Sequence, residues 1–90
     1  MNKGELIDAV GNRTGLAKAD ATRAVESVLE TITNALKTGD AVAIAGFGTF
    51  VVKQRKARSG RNPRTREPIQ IPASQVPGFK AGKALKDAVN

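Results

Sequence analysis

Cysteine, histidine, tryptophan and tyrosine are all missing from this ninety-residue chain. Without Cys or His there is no thiolate or imidazole to hold a metal, no nucleophilic Cys, and no His-based acid, base or triad. Most enzyme chemistry is thereby out of reach, so no catalytic residue, metal or cofactor is expected. Three Phe are the only aromatics, which leaves neither a large aromatic core nor a disulfide staple. A domain this small is marginal as a monomer, and oligomerisation is the remaining route to stability. An obligate dimer is therefore expected. Long apolar runs are absent as well. The start, Met1-Asn2-Lys3-Gly4-Glu5, has a charge at residue 5 and no apolar run behind it. The expectation is a cytoplasmic protein with neither a signal peptide nor a membrane anchor, and with no membrane partner.

What the chain does have is positive charge, and that charge is local. Seven of the fifteen Lys and Arg residues, namely Lys53, Arg55, Lys56, Arg58, Arg61, Arg64 and Arg66, fall between residues 53 and 66, a stretch without a single acid. With Glu67 included, seven cations and one anion give six of the formal seven net positive charges. Concentrated positive charge of this kind is a footprint for phosphate backbones, whose neutralisation releases condensed counterions. The competing reading is a solvated loop, but seven cations without an acid repel one another, and a segment kept that way points to a polyanion. A membrane surface fits less well, because it would want bulky apolar residues on an amphipathic helix beside the charge.

Along the chain, Asn2 and Glu5 have the spacing of a capping box, and Leu6, Ile7 and Val10 share a helical face until Gly11 and Gly15 break the pattern. A second helix is expected from about Lys18 to Thr38. Its apolar residues Ala21, Ala24, Val25, Val28, Leu29, Ile32, Ala35 and Leu36 follow a helical period, and Gly39 serves as the stop. From Asp40 the period becomes two. Val42 and Ile44 lead into Gly46-Phe47-Gly48, and Thr49-Phe50-Val51-Val52 resumes, which reads as a β-hairpin. Beyond Val52 neither parity is apolar, since Lys53, Arg55 and Arg61 take one side and Lys56 and Arg58 the other. The segment must leave the globule, turn at Asn62-Pro63-Arg64-Thr65 and return through Ile69, Ile71 and Ala73 as a protruding two-stranded ribbon. With the turn centred between Pro63 and Arg64, one arm is roughly 33 Å long at the usual strand rise. Lys83 to Val89 read as a short terminal helix with Ala84, Leu85 and Ala88 inward. One domain is expected over residues 1–90: a helical dimerisation region at 1–38, a sheet at 40–80 bearing the arm at about 53–75, and a C-terminal helix at 81–90.

Three segments, Gly46-Phe47-Gly48-Thr49-Phe50, Arg58-Ser59-Gly60-Arg61-Asn62-Pro63-Arg64-Thr65 and Ala81-Gly82-Lys83-Ala84-Leu85-Lys86, carry a resemblance. The chain closely resembles the HU and integration host factor family of bacterial histone-like DNA-binding proteins, over essentially all of its length. The resemblance implies an α+β fold in an intertwined dimer: a helical base, a three-stranded antiparallel sheet forming a saddle, and one protruding β-ribbon arm per subunit. It implies binding of double-stranded DNA through the minor groove with little sequence preference, bending and compacting it in the nucleoid, with bent, nicked or gapped forms bound best. The dimer would form with a second copy or with a paralogue. The DNA-binding set it implies comprises Lys3, Gly46, Lys53, Arg55, Lys56, Arg58, Arg61, Asn62, Pro63, Arg64, Arg66, Lys80 and Lys83. Val28, Leu29, Ile32, Leu36, Ile44, Phe47, Phe50 and Phe79 would form the dimer core. Proteins of this family are themselves the type case of a wedge inserted between base pairs, and that role carries over to Pro63.

Three positions depart from the family's commoner pattern. Ala17 replaces a Ser or Thr cap, a loss of about 1 kcal/mol. Arg66 stands where many relatives have Gly, and Pro68 limits ladder pairing beside the tip. Other readings stand beside the resemblance. On sequence alone Pro63 is a turn former, and Lys3, Lys80, Lys83 and Lys86 are as well explained as solvated charges. Phe47 and Phe50 read as core residues. An RNA-recognition strand would place its aromatics two apart on one face, whereas these are three apart and would face oppositely in a regular strand. Gly46-x-Gly48 lacks the third Gly of a dinucleotide loop. Asp8, Glu26, Glu30 and Asp87 read as surface or ion-pair residues. A site-specific relative resembling integration host factor, an RNA-binding module and a protein-assembly module are the functional alternatives.

Overall fold

The computed structural model describes residues 1–90 and begins its first helix, α1 (Lys3–Thr14), where the sequence supplies a cap: Asn2 Oδ1 accepts the Glu5 N–H at 2.9 Å. Gly11 does not end this helix, contrary to the expectation from its sequence. It lies inside α1, where a Cβ would stand 3.5 Å from Ala21 Cβ, and the stop is Gly15, left-handed at φ 74°, whose N–H donates to the Gly11 carbonyl at 2.9 Å. Helix α2 (Lys18–Lys37) starts at Ala17 without a side-chain cap. It ends as Gly39 turns left-handed and the Asp40 N–H reaches back to the Ala35 carbonyl.

Strand β1 (Val42–Ile44) and strand β2 (Gly48–Arg55) form the expected hairpin, in which Val42 faces Phe50 and Ile44 faces Gly48. β2 then pairs along its whole length with β5 (Ser74–Ala81), completing an antiparallel sheet in the order β1-β2-β5. Between them, β3 (Arg58–Arg61) and β4 (Pro68–Ile71) make a separate two-stranded ribbon, and α3 (Lys83–Val89) closes the chain. Directly opposed residues share a sheet face. Val42, Ile44, Phe50, Val52 and Phe79 therefore lie on one face, and Thr49, Val51, Lys53, Arg55 and Lys80 on the other.

The Phe residues do not face oppositely as a regular strand would require. Phe47 sits in the hairpin turn, free of strand alternation, and both Phe47 and Phe50 pack on Phe79 with ring centroids 5.6 and 4.7 Å away. Gly48 makes this convergence sterically feasible, because a Cβ there would lie 2.5 Å from Phe79 Cζ and 2.6 Å from the Lys80 carbonyl oxygen.

The core of one copy is small. Ile7, Ala21 and Val25 are its buried side chains, with Val10 packed against them. Of α3's expected inward residues only Leu85 is partly covered, while Ala84 and Ala88 are exposed. Val28, Leu29, Ile44, Phe47 and Phe79 are exposed, Val28 at 57%, and Ile32, Leu36 and Phe50 are half-buried. The radius of gyration is 18.6 Å over extents of 57 × 29 × 28 Å, against roughly 12 Å for a compact ninety-residue domain. The excess is the projecting ribbon. No helix is long and apolar enough to cross a membrane.

The crowding at Gly48 yields a paired prediction. Gly48→Ala is expected to cost about 1–3 kcal/mol, because the backbone of β5 has to shift. Gly78→Ala, where the nearest atom to a new Cβ is Val51 Cγ2 at 3.7 Å, is expected to stay within about 0.5 kcal/mol of the parent. Urea unfolding followed by far-UV circular dichroism at matched protein concentration separates the two; equal stabilities would contradict the packing described here.

Candidate nucleic-acid interface

The ribbon leaves the sheet because its residues have nowhere else to go. β2 and β5 stay in register from Gly48 opposite Ala81 to Arg55 opposite Ser74. Both strands then break, at residues 56–57 and 72–73, and pairing resumes with Arg58 opposite Ile71. Two residues are skipped on each side, so the register is preserved across the break. Pro72 lies within it and has no N–H to give to a ladder.

The tip is a six-residue loop rather than the expected four-residue turn, and its centre lies between Arg64 and Thr65, one residue later. The Asn62 N–H donates to the Glu67 carbonyl at 2.9 Å, and the Arg66 N–H donates to the Asn62 carbonyl at 2.7 Å. Asn62 Oδ1 also accepts the Arg64 N–H at 2.9 Å. Asn62 thus winds the next residues into one α-like turn, and Pro63, with its fixed φ and missing N–H, suits the first position of that turn. Asn62 Oδ1 is engaged within the turn, while its amide NH₂ donates to no group of the protein. Pro63 itself is exposed at the end of the arm. Arg66 takes the left-handed conformation, φ 58°, the position for which a Gly is better suited.

Electrostatically the arm is unneutralised. The ion pairs of the chain are Lys3–Glu26 at 3.0 Å, Lys18–Asp8 at 4.0 Å and Arg23–Asp20 at 3.6 Å. None involves Lys53, Arg55, Lys56, Arg58, Arg61, Arg64 or Arg66, and Glu67 pairs with none of them. Lys53 and Arg55 share a sheet face with Lys80, and Lys56 falls in the break.

A second basic site lies on the shoulder of the sheet. Gly46, Lys80 and Lys83 line one open groove of about 750 Å³ between the β1–β2 turn and α3. The two walls approach closely. The Gly82 N–H donates to the Phe47 carbonyl at 2.7 Å, the Leu85 N–H to the Gly46 carbonyl at 3.3 Å, and a Cβ on Gly82 would stand 3.1 Å from Gly46 backbone atoms. Lys3, by contrast, is on α1 and engaged with Glu26. Thr49 and Asp87 also line the groove, and neither was singled out as a ligand-contacting residue from the sequence. Thr49 joins Lys80 only through the β2–β5 register, which no local sequence pattern discloses.

Comparison with known proteins is consistent along the whole chain. The family model described as bacterial DNA-binding protein matches residues 1–90. The chain is 61% identical to DNA-binding protein HU-beta of Pseudomonas aeruginosa, over all of both chains. It is 62% identical to DNA-binding protein HU 1 of Bacillus subtilis, over 99% of this chain and 97% of that one. Among solved structures, the Anabaena HU–DNA cocrystal structure superposes with a TM-score of 0.90 at 48% identity, covering 99% of this chain and 97% of that one. HU from Thermotoga maritima superposes with a TM-score of 0.72 at 40% identity, with both chains fully covered.

Because the arm cations have no internal partners, losing one costs the fold little. Arg61→Ala is expected to change unfolding free energy by no more than about 0.5 kcal/mol. On duplex DNA it is expected to reduce the slope of log affinity against log salt by about one. Anisotropy titrations across a salt series read the slope, and an unchanged slope removes Arg61 from the phosphate contacts.

Proposed function

The chain belongs to the bacterial DNA-binding protein family, and from that membership and its geometry we propose that it is a histone-like architectural protein that binds duplex DNA with little sequence preference, then bends, wraps and compacts it. The carrying observation is an arm, running from the end of β2 through the β3–β4 ribbon, with seven cations, none of them ion-paired, and an exposed Pro63 at its tip. A surface of that kind meets phosphates without first breaking internal bonds, and binding releases counterions from the DNA.

The acting unit in this reading is a dimer. One copy leaves a groove lined only by Leu6, Val10, Ala24, Val25, Val28 and Leu29 on its helical base, and a second groove where Val28 and Ile32 meet Val42 and Ile44. A second copy would cover both, with Leu36, Phe47, Phe50 and Phe79 extending the seam. Residues 1–38 would serve dimerisation, the arm at about 53–75 would grip DNA, and 81–90 would complete the shoulder, all within one functional domain. Two arms then reach around one duplex.

Contacts divide by chemistry. Lys53, Arg55, Lys56, Arg58, Arg61, Arg64 and Arg66 take phosphates along the arm, while Gly46, Lys80 and Lys83 take them at the shoulder, with Lys3 beyond. The Asn62 amide reaches acceptors on the minor-groove floor, where A·T and G·C are the only distinction available. Pro63 enters a base step. Such wedges are the family's known device, and unstacking costs a few kcal/mol per step, offset by the phosphates that bent DNA brings within reach. DNA that is already bent, nicked or gapped avoids part of that cost. Nothing in this role calls for a catalytic residue, and the chain is read as a non-enzymatic component of the cytoplasmic nucleoid.

Fluorescence anisotropy of a labelled duplex, intact or centrally nicked, tests the whole reading. Salt-sensitive binding to arbitrary sequence, with the nicked form several-fold tighter, is the expected result. Equal affinity for both forms would reduce the protein to a generic polycation, and strong preference for one sequence would favour a site-specific role. Pro63→Ala is expected to reduce the bend angle by about 20° or more while affinity falls far less. Single-molecule energy transfer on end-labelled DNA measures the angle, and equal angles for parent and variant would remove the wedge.

A further inference from the structure

One acid borders the shoulder groove. Asp87 lines it with Thr49, Lys80 and Lys83, and its exposed carboxylate has no partner in the chain. It accepts no hydrogen bond and takes part in none of the three ion pairs. Its place in α3 is unfavourable as well. Asp87 falls in the last turn of this helix, where unpaired carbonyls disfavour a negative charge. Lys83 precedes it by four residues, which is the weaker order for an ion pair along a helix. Asp8, Asp20 and Glu26, by contrast, each face a cation. An acid that stabilises neither its helix nor a neighbour, yet stands in one groove with two lysines, acts on whatever enters that groove.

We propose that Asp87 attenuates the grip of the shoulder on DNA: its carboxylate repels the phosphate drawn in by Lys80 and Lys83 and keeps that contact weak. This inference rests on the reading of the groove as a phosphate site of an architectural protein. The sign follows from charge. A phosphodiester carries a negative charge, and a groove with two ammonium groups and one carboxylate attracts it with one net positive charge in place of two. The groove is open, so water and salt moderate the repulsion. For two unit charges about 6 Å apart in water it amounts to a factor of about three in affinity, and two shoulders in a dimer make that about tenfold. The effect extends to bending. Bent DNA gains the phosphate contacts that it brings to the shoulder, and a weaker shoulder reduces that gain. Asp87 thereby limits how far the shoulder drives the bend and leaves tight binding dependent on the arms.

Asp87→Asn removes the charge and keeps the shape. In the full chain this variant is expected to bind an intact duplex about threefold to tenfold more tightly at low salt, and the gain is expected to shrink as added salt screens the groove. Glu30→Gln makes the same change of net charge on α2, outside the groove, and is expected to alter affinity by less than about twofold. A double-mutant cycle locates the effect: in a Lys83→Ala background the gain from Asp87→Asn is expected to be smaller, because the phosphate that both residues face is held less firmly. The urea midpoint of Asp87→Asn is expected to equal or exceed the parent's, since the acid leaves the last turn of a helix. No gain in affinity, an equal gain in Glu30→Gln or an undiminished gain beside Lys83→Ala overturns the attenuating role. So does a lowered urea midpoint, which would make Asp87 a structural partner of the second copy. Each of these leaves the architectural reading intact, whereas failure of the parent to bind duplex DNA overturns both.

Discussion

Seven like charges on one unneutralised arm, from the end of β2 to the tip of the β3–β4 ribbon, constrain everything else in this molecule. In water, two unit charges about 10 Å apart repel by only about 0.4 kcal/mol, and a Debye length of about 8 Å at physiological salt screens much of that. Placed in a low-dielectric interior, the same charges would be prohibitively costly without partners. The segment from Lys53 to Arg66 is therefore tolerable only where solvent surrounds it, and it accordingly runs from the exposed end of β2 into the separate β3–β4 ribbon. No acid is spent on neutralising it, since the three ion pairs of the chain all lie in or between α1 and α2.

Diverting those residues to the ribbon leaves the body with too little apolar material to close on itself. One copy buries three apolar side chains, and the faces of α2 and the sheet that should meet something remain open. The need for a second copy is in this sense a consequence of the arm. The shoulder is tightened in the same economy of atoms. Gly48 lets the Phe79 ring lie across β2, and Gly82 lets α3 begin against the Gly46 turn, so that Lys80 and Lys83 border one groove. Backbone approach takes the place of side-chain volume.

Much of this was legible in the sequence. The 3.6 period of α2, the switch to period two after Asp40, and the loss of any apolar parity beyond Val52 each follow from one-dimensional spacing, and the family resemblance supplied the assembly. What escaped was set by contacts between distant residues. Gly11 stays helical although its own propensity is low, in a helix whose Ile7 and Val10 pack with Ala21 and Val25 of α2. The loop at Asn62 is two residues longer than the expected turn because a side-chain oxygen and a carbonyl of the same residue both accept bonds from the following amides. Phe47 and Phe50 meet on Phe79 because a turn residue is exempt from alternation. At the site, local composition disclosed the arm cations, but the partnership of Thr49 with Lys80, the place of Asp87 in the shoulder groove and the engagement of Lys3 with Glu26 depend on register and packing.

The break at residues 56–57 and 72–73 and the order at the tip belong together. Pairing lapses on both strands at the same level without a change of register, so bending there can reorient the far ribbon without any slip that would turn its side chains over. The tip beyond is held by four hydrogen bonds around Asn62 and Thr65, with Pro63 fixed by its own ring. A stem that adapts and a tip that does not are suited to DNA whose sequence is not specified. An adaptable stem can follow variation in the backbone path, whereas a preformed tip can be placed with little further loss of conformational entropy. Had the tip been the disordered part, ordering it would have cost free energy that the phosphate contacts would have to offset.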